Sequence, residues 1–172
     1  MRRPPLVVVF LGLFVIALGE TAGAAMSQLR PQVVRYAQAR VAANPQAHGL
    51  AGSPEYDSEI TARAVYSAEA GLSFFHTHAQ GLGPLVIFAS TVAASVVRWR
   101  RARGILYALF SIGALFPLGY LGYSLAVLEW GRDAGIEIAE RYVLTPLGSA
   151  AIVGLVALAA LMVAGQLRGR TA

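Results

Sequence analysis

The sequence predicts an all-α integral membrane protein: an antiparallel four-helix transmembrane bundle with both termini in the cytoplasm and short amphipathic helices in its outer loops. Two observations predict this fold. The chain of 172 residues is 56% hydrophobic, which exceeds what a soluble domain of this length needs. Its acidic residues all fall on one side of the predicted membrane. We expect residues 1–172 to form a single transmembrane domain, because four spans and their connections leave no room for a separate soluble domain.

The apolar residues gather in four stretches, each close to the ~20 residues that a helix needs to cross a bilayer. The predicted spans cover residues 6–25, 74–97, 105–128 and 147–164. Outside the membrane, a long loop over residues 26–73 joins the first two spans, and a shorter loop over residues 129–146 joins the last two.

Threading these spans in alternating directions places every acidic residue on one side. Eight arginines share the other side: Arg2, Arg3, Arg98, Arg100, Arg101, Arg103, Arg168 and Arg170. The remaining six arginines lie with all nine acidic residues. Arginine clustered in short loops beside spans marks the cytoplasmic face. We therefore expect a multi-pass protein of the bacterial cytoplasmic (inner) membrane, with its large loop outside.

The basic charge also bears on partners. The arginines of residues 98–103 lie directly beside a predicted span, where we expect them to contact anionic lipid headgroups. The expected partners are the lipid bilayer and other membrane subunits, and nucleic acid is not among them.

The first apolar stretch leaves two interpretations open. Arg2-Arg3, an apolar run and Ala22-Gly23-Ala24 are typical of a secretory signal with a cleavage site. However, the apolar character resumes after Glu20 and reaches Met26, which gives the length of a span. We favour a retained anchor. Cleavage would leave three spans and the later topology unchanged.

Both outer connections carry helix signals. Apolar residues from Val33 to Val41 form a stripe beside polar ones, which predicts an amphipathic helix on the outer membrane surface. Ser53-Pro54 restarts a helix, with serine as N-cap and proline at the first position, and no strong stop separates this helix from the second span. Asp133–Val143 predicts another short amphipathic helix, after which Thr145-Pro146 begins the last span.

The residue inventory excludes several kinds of chemistry. The chain has no cysteine, which rules out disulfides, thiolate metal sites and covalent haem attachment. The sequence contains no metalloprotease, serine-hydrolase or phosphate-binding-loop motif. We therefore do not expect a self-contained enzyme.

The candidate site lies where the second span reaches the outer surface. On a helix, Glu69, Ser73, His76 and Gln80 share one stripe. His78 points to nearly the opposite side, because two residues turn a helix by about 200°. A solvated helix face is the alternative explanation for this stripe. It explains Glu69 well and His76 and Gln80 less well, because these two lie at or inside the interface.

Other segments supply further candidates. Tyr120 and Tyr123 fall in the outer half of the third span, level with the two histidines, although an interfacial aromatic belt also explains them. His48 lies on an outer loop that can fold back. The cofactor-binding candidates are His76, His78, Gln80, Tyr120 and Tyr123, and the metal-ligand candidates are His76, His78, Glu69 and His48.

The segment from His76 to Gly83 reads His-Thr-His-Ala-Gln-Gly-Leu-Gly. A His-x-His pair followed by glycine on a membrane helix resembles the haem-ligand helix of the haem–copper oxidases, in which the two histidines coordinate two different haems. The other haem and copper histidines of that family are absent, so the chain is not such an oxidase. The segment also resembles small uncharacterised bacterial membrane proteins with a His-x-His-x-x-x-Leu-Gly signature. That resemblance implies no activity.

Three functional hypotheses follow. The first is a membrane protein that binds b-type haem or a transition metal ion through His76, His78 or both, in electron transfer or cofactor handling. The second is a non-catalytic accessory or assembly subunit of a larger membrane complex. A small-solute channel or transporter ranks third, because the inner halves of the spans consist mainly of alanine, valine, leucine and glycine.

Overall fold

The computed structural model describes residues 3–169, with side chains as far as Gly165. Its helices are α1 (Leu6–Gln28), α2 (Arg30–Ala43), α3 (Pro45–His48), α4 (Pro54–Val96), α5 (Arg100–Ala114), α6 (Leu118–Trp130), α7 (Arg132–Ala139) and α8 (Thr145–Gly169). A π-helical turn at Glu140–Leu144 joins α7 to α8. Residues 3–169 contain no β-strand, so the all-α prediction is confirmed.

Four helical stretches are long and apolar enough to span a membrane. They are Leu6–Gln28, Pro54–Val96, Arg100–Trp130 and Arg132–Gly165. Large apolar side chains on these helices face outwards: Phe10 on α1 is 61% exposed and Val156 on α8 is 64% exposed. A helix that is apolar on its outer side as well as its packed side suits a lipid environment.

Helices α1 and α4 pack antiparallel through glycines. A Cβ atom at Gly12 would lie 3.1 Å from the carbonyl oxygen of Gly83, and one at Gly23 would lie 2.5 Å from the ring of His76. Residue numbers therefore rise along α1 as they fall along α4. Small residues at a crossing let two membrane helices approach closely, and α1 and α4 form the most extensive helix pair of the described chain.

Helices α5 and α8 pair in the same antiparallel sense. A Cβ atom at Gly113 would lie 2.8 Å from Ala151, and one at Gly154 would lie 2.9 Å from the ring of Phe110. Small residues on both helices, Gly113, Ala151 and Gly154, therefore let α5 and α8 approach closely.

The third apolar stretch is interrupted at Leu115–Pro117. Pro117 lacks an amide hydrogen and cannot continue the regular helical pattern. Around it, the Phe116 N–H donates to the Gly113 carbonyl and the Tyr120 N–H donates to the Pro117 carbonyl, each at 3.0 Å. This three-residue spacing is that of a 3₁₀ turn. The predicted span 105–128 is therefore two helical segments, α5 and α6.

The predicted long outer loop is mostly helical. The amphipathic stripe of α2 is present, because Ala37 and Val41 are buried in one apolar cluster with residues of α4 and α6. Helix α4 runs without a break from Pro54 to Val96. Ser53 occupies the predicted N-cap position, but its side chain makes no capping hydrogen bond. The carboxylate of Asp57 instead accepts the N–H groups that precede the helix.

The connection over residues 129–146, where the sequence predicts a short amphipathic helix at Asp133–Val143, contains α7 and the π-helical turn. Only Gly131 lies outside a helical element there, with a φ of 86° that favours glycine. Helix α8 begins at Thr145, as predicted, but the π-helical turn joins it to α7 without a break. Pro146 lies in the first turn of α8 and has no amide hydrogen to donate to the preceding turn.

The bundle separates charge between its two ends. One apolar cluster, which includes Val8, Leu106 and Leu158, brings together the start of α1, the α4–α5 connection and the end of α8. Arg98–Arg103 lies at this end, and the ion pairs of Glu69 and Glu129 lie at the other. Three members of the predicted inner set fall outside the described part of the chain: Arg2, Arg170 and the side chain of Arg168.

Candidate functional site

His78 lies on the side of α4 that faces α6. Its Nδ1 atom is 2.8 Å from the carbonyl oxygen of Phe74, one turn earlier. A carbonyl only accepts, so this contact places the ring hydrogen on Nδ1 and leaves a lone pair on Nε2. Nε2 makes no hydrogen bond to any residue between 3 and 165, and it is not sealed inside the protein. An imidazole in this state can ligate a metal through Nε2.

Three aromatic rings fix the orientation of the His78 imidazole. Tyr120 stacks on it with ring centroids 4.9 Å apart and an angle of 27° between the planes. Phe116 and Phe74 contact it edge-on, at 5.4 and 6.3 Å. Tyr123 lies one turn further out and contacts Tyr120 rather than the histidine. The structure therefore brings together His78 and Tyr120, which the sequence places at the same level.

His76 faces the opposite way, towards α1. Its Nδ1 atom donates to the carbonyl of Gly19 at 2.8 Å, and its Nε2 atom lies 3.2 Å from the side-chain nitrogen of Gln80. That amide also donates to Glu20 at 2.8 Å. Both ring nitrogens of His76 are thus engaged in a polar contact between α1 and α4, and neither is available to a ligand.

The four predicted metal ligands do not come together. Glu69 forms an ion pair with Arg30 at 2.8 Å, and the hydrogen bond of that pair raises the pKa of Arg30. His48 is buried, with its Nε2 atom 3.0 Å from the carbonyl oxygen of Leu128. Across the part of the chain that is described, no three histidine or carboxylate side chains are placed to hold a metal ion.

The face of α4 that carries His78 is open on the side towards Arg98–Arg103. Gly81 follows one turn later, and no described atom lies within 4 Å of where its Cβ would stand. Leu85 and Phe88 continue the stripe and are 40% and 67% exposed. Residues spaced by three and four share a helix face. A glycine one turn from a ligating imidazole leaves room for a flat macrocycle against the helix.

An ion pair that the sequence does not predict joins α2 to α6. Arg40 of α2 donates through Nε to Glu129 of α6 at 2.7 Å, and Asn44 donates to the same carboxylate at 3.3 Å. The hydrogen bond, followed by the opposite charge, raises the pKa of Arg40 above its ordinary value. The two residues are 89 positions apart, and no local pattern predicts such a contact.

No protein-family model, curated protein or solved structure matched the chain.

Proposed function

We propose that the chain is a four-span protein of the bacterial cytoplasmic membrane, with both termini inside, that offers His78 as an axial ligand to a b-type haem near the outer surface. One observation carries the proposal. The Nδ1 hydrogen of His78 is held by the Phe74 carbonyl, while Nε2 stays available. A backbone acceptor on the far nitrogen is the usual device that orients a ligating imidazole.

The surroundings of His78 fit a porphyrin. The aromatic rings of Phe116 and Tyr120 hold the imidazole on one side, and the bare backbone at Gly81 leaves the adjoining surface flat. Aromatic and small apolar residues are suitable neighbours for a large planar ring. When bound, the haem would supply one-electron transfer, and the protein would supply its position, orientation and shelter from water.

Any ligand beyond His78 would come from a partner subunit, from His48 or from water. His76 has both ring nitrogens engaged with Gly19 and Gln80, whereas His48 uses only Nε2, which contacts the carbonyl oxygen of Leu128. His76 therefore has no ring nitrogen left for a ligand. The proposed role is therefore electron transfer or cofactor handling within a larger membrane complex rather than catalysis by this chain alone.

The orientation in the membrane rests on the arginine distribution. Arg98–Arg103 lies at one end of the bundle, and the acidic residues with their ion pairs lie at the other. Arginine-rich short connections stay in the cytoplasm. This puts His78, which lies towards the acidic end, in the outer half of the membrane.

A visible absorption spectrum tests the proposal. We expect the full chain, expressed with a haem supply and purified in mild detergent, to show a Soret band that changes on reduction and a pyridine haemochrome of the b type. Absence of any Soret band after haem titration, from a protein that is folded by circular dichroism, would reject haem binding.

The second candidate is an accessory subunit without a cofactor. The observation that favours it is the lack of a ligand set: among the described residues, no three histidine or carboxylate side chains are placed to hold a metal ion, and both ring nitrogens of His76 are engaged. A haem-free protein that co-purifies stoichiometrically with a membrane complex would support this role.

A further inference from the structure

A second feature, separate from His78, is a cleft at the acidic end of the bundle. It has a volume of about 720 Å³ and opens between α3, the outer part of α4 and the α6–α7 connection. This volume lies within the ~300–1,000 Å³ that small-molecule sites usually have. The side chains that matter for its chemistry are Arg63, Tyr66, Ser67, Tyr123, Trp130 and Arg132.

The two arginines of the cleft keep unused hydrogen-bond donors. Arg132 donates through Nε to the hydroxyl of Ser67 at 3.2 Å and through Nη1 to Asp133 at 2.7 Å. Its Nη2 atom has no acceptor among the described residues. Arg63 donates through Nη2 to Glu59, and its other nitrogens are likewise without an acceptor in residues 3–165. Both ion pairs are solvent-exposed and therefore weak.

The hydroxyl and indole groups of the cleft add to this excess of donors. Ser67 is only 6% exposed; its oxygen accepts from Arg132, and its own hydrogen meets no acceptor within the described chain. Likewise, no acceptor within the described chain meets the hydroxyls of Tyr66 and Tyr123 or the indole N–H of Trp130. Among the lining side chains, Asp133 alone carries a carboxylate. A ligand rich in acceptors complements such a surface.

We propose that this cleft binds a phosphate-class oxyanion. Guanidinium groups and hydroxyls are the donors that phosphate oxygens prefer, and charge-assisted hydrogen bonds of this kind are the strong ones. Tyr66, Phe74 and Trp130 flank the donors and are 74%, 47% and 55% exposed. Aromatic side chains beside arginine are typical of the headgroup level of a bilayer. A phospholipid headgroup and a free phosphate compound present the same acceptors.

The test uses the full chain in a neutral detergent and follows thermal unfolding by tryptophan fluorescence. The probes are inorganic phosphate, dihexanoyl phosphatidic acid and dihexanoylglycerol, which shares the acyl chains but lacks the phosphate. We expect Tm to rise with a phosphate-bearing probe and not with the diacylglycerol. Saturation at much lower phosphatidic acid than phosphate identifies a lipid ligand, and equal midpoints identify a free phosphate compound.

Three variants assign the effect to the cleft. Arg63→Gln and Arg132→Gln each remove a donor pair, so each should weaken the midpoint roughly tenfold, and Ser67→Ala, the mildest change, should weaken it severalfold. Arg35→Gln is the matched control, because Arg35 carries the same charge on the exposed side of α2, away from the cleft. The proposal is rejected if no phosphate-bearing probe raises Tm, or if Arg35→Gln weakens binding as much as the cleft variants.

Discussion

The imidazole ring of His76 lies directly against Gly23, so closely that a Cβ atom at Gly23 would stand 2.5 Å from the Cε1 atom of the ring and 2.6 Å from its Nδ1 atom. The ring cannot simply move away, because Nδ1 is hydrogen-bonded to Gly19 on the same helix. His76 is thus a packing contact between α1 and α4, and its ring nitrogens are not free to bind a ligand. Of the His-x-His pair, only His78 keeps a ring nitrogen that is free of partners among the described residues.

Gly23→Ala should therefore destabilise the protein. The added methyl group displaces the His76 ring and breaks its bond to Gly19, and overpacking of this kind costs about 1–3 kcal/mol. The measurement is the midpoint of thermal unfolding in detergent. Gly122→Ala is the control, because no described atom lies near that position and alanine favours a helix. Equal midpoints for the two variants would show that the contact with His76 carries no stability.

The second prediction concerns the side of the membrane on which each connection lies. A reporter inserted at Gly49, an exposed glycine with a φ of 67° and no described neighbour within 4 Å of its Cβ position, should be active outside the cytoplasm. A reporter fused after Arg103 should be cytoplasmic, since it follows the arginine-rich connection that the positive-inside rule retains. An external location of Arg98–Arg103 would overturn the orientation and, with it, the outer position of His78.

Much of the fold could be predicted from the sequence because it depends on local periodicity. The four apolar stretches, the buried stripe of α2 at Ala37 and Val41, and the opposite directions of His76 and His78 all follow from helical geometry. The missed features are the interruption before Pro117 and the continuity of α7 into α8. In the first, a proline breaks an otherwise uniform apolar stretch, and in the second, a π-turn lets the helix pass Thr145-Pro146 without a break.

The site was harder to predict because its decisive contacts join distant segments. The stripe of His76 and Gln80 predicts a set of ligands, whereas these side chains hydrogen-bond to Gly19 and Glu20 of α1. Glu69 forms an ion pair with Arg30. Spacing along one helix shows which residues share a face, but it does not show which other helix that face meets.

The two histidines should differ in the absorption spectrum. If the protein binds haem, His78→Ala should abolish the Soret band, because it removes the ligand atom. His76→Ala should only weaken or shift it, because it loosens α1 against α4 without touching the ligand. His48→Ala serves as a control for general damage, since it removes a buried hydrogen bond at the outer end. Retention of stoichiometric haem in the double variant His76→Ala/His78→Ala would show that neither histidine is the ligand.

Gly81 provides the sharpest test of where the macrocycle lies. Gly81→Leu fills the flat surface one turn from His78 and should lower haem retention at least tenfold, because the new side chain occupies the space of the ring. The protein itself should remain folded, since that position contacts no described atom. Gly122→Leu makes the same change at an equally open glycine on α6 and should leave the spectrum unaltered. Haem titrations of both variants, with circular dichroism as the folding check, measure the difference. Equal affinities, in a wild-type protein that does bind haem, would place the porphyrin on another face of His78 and leave its role as ligand intact.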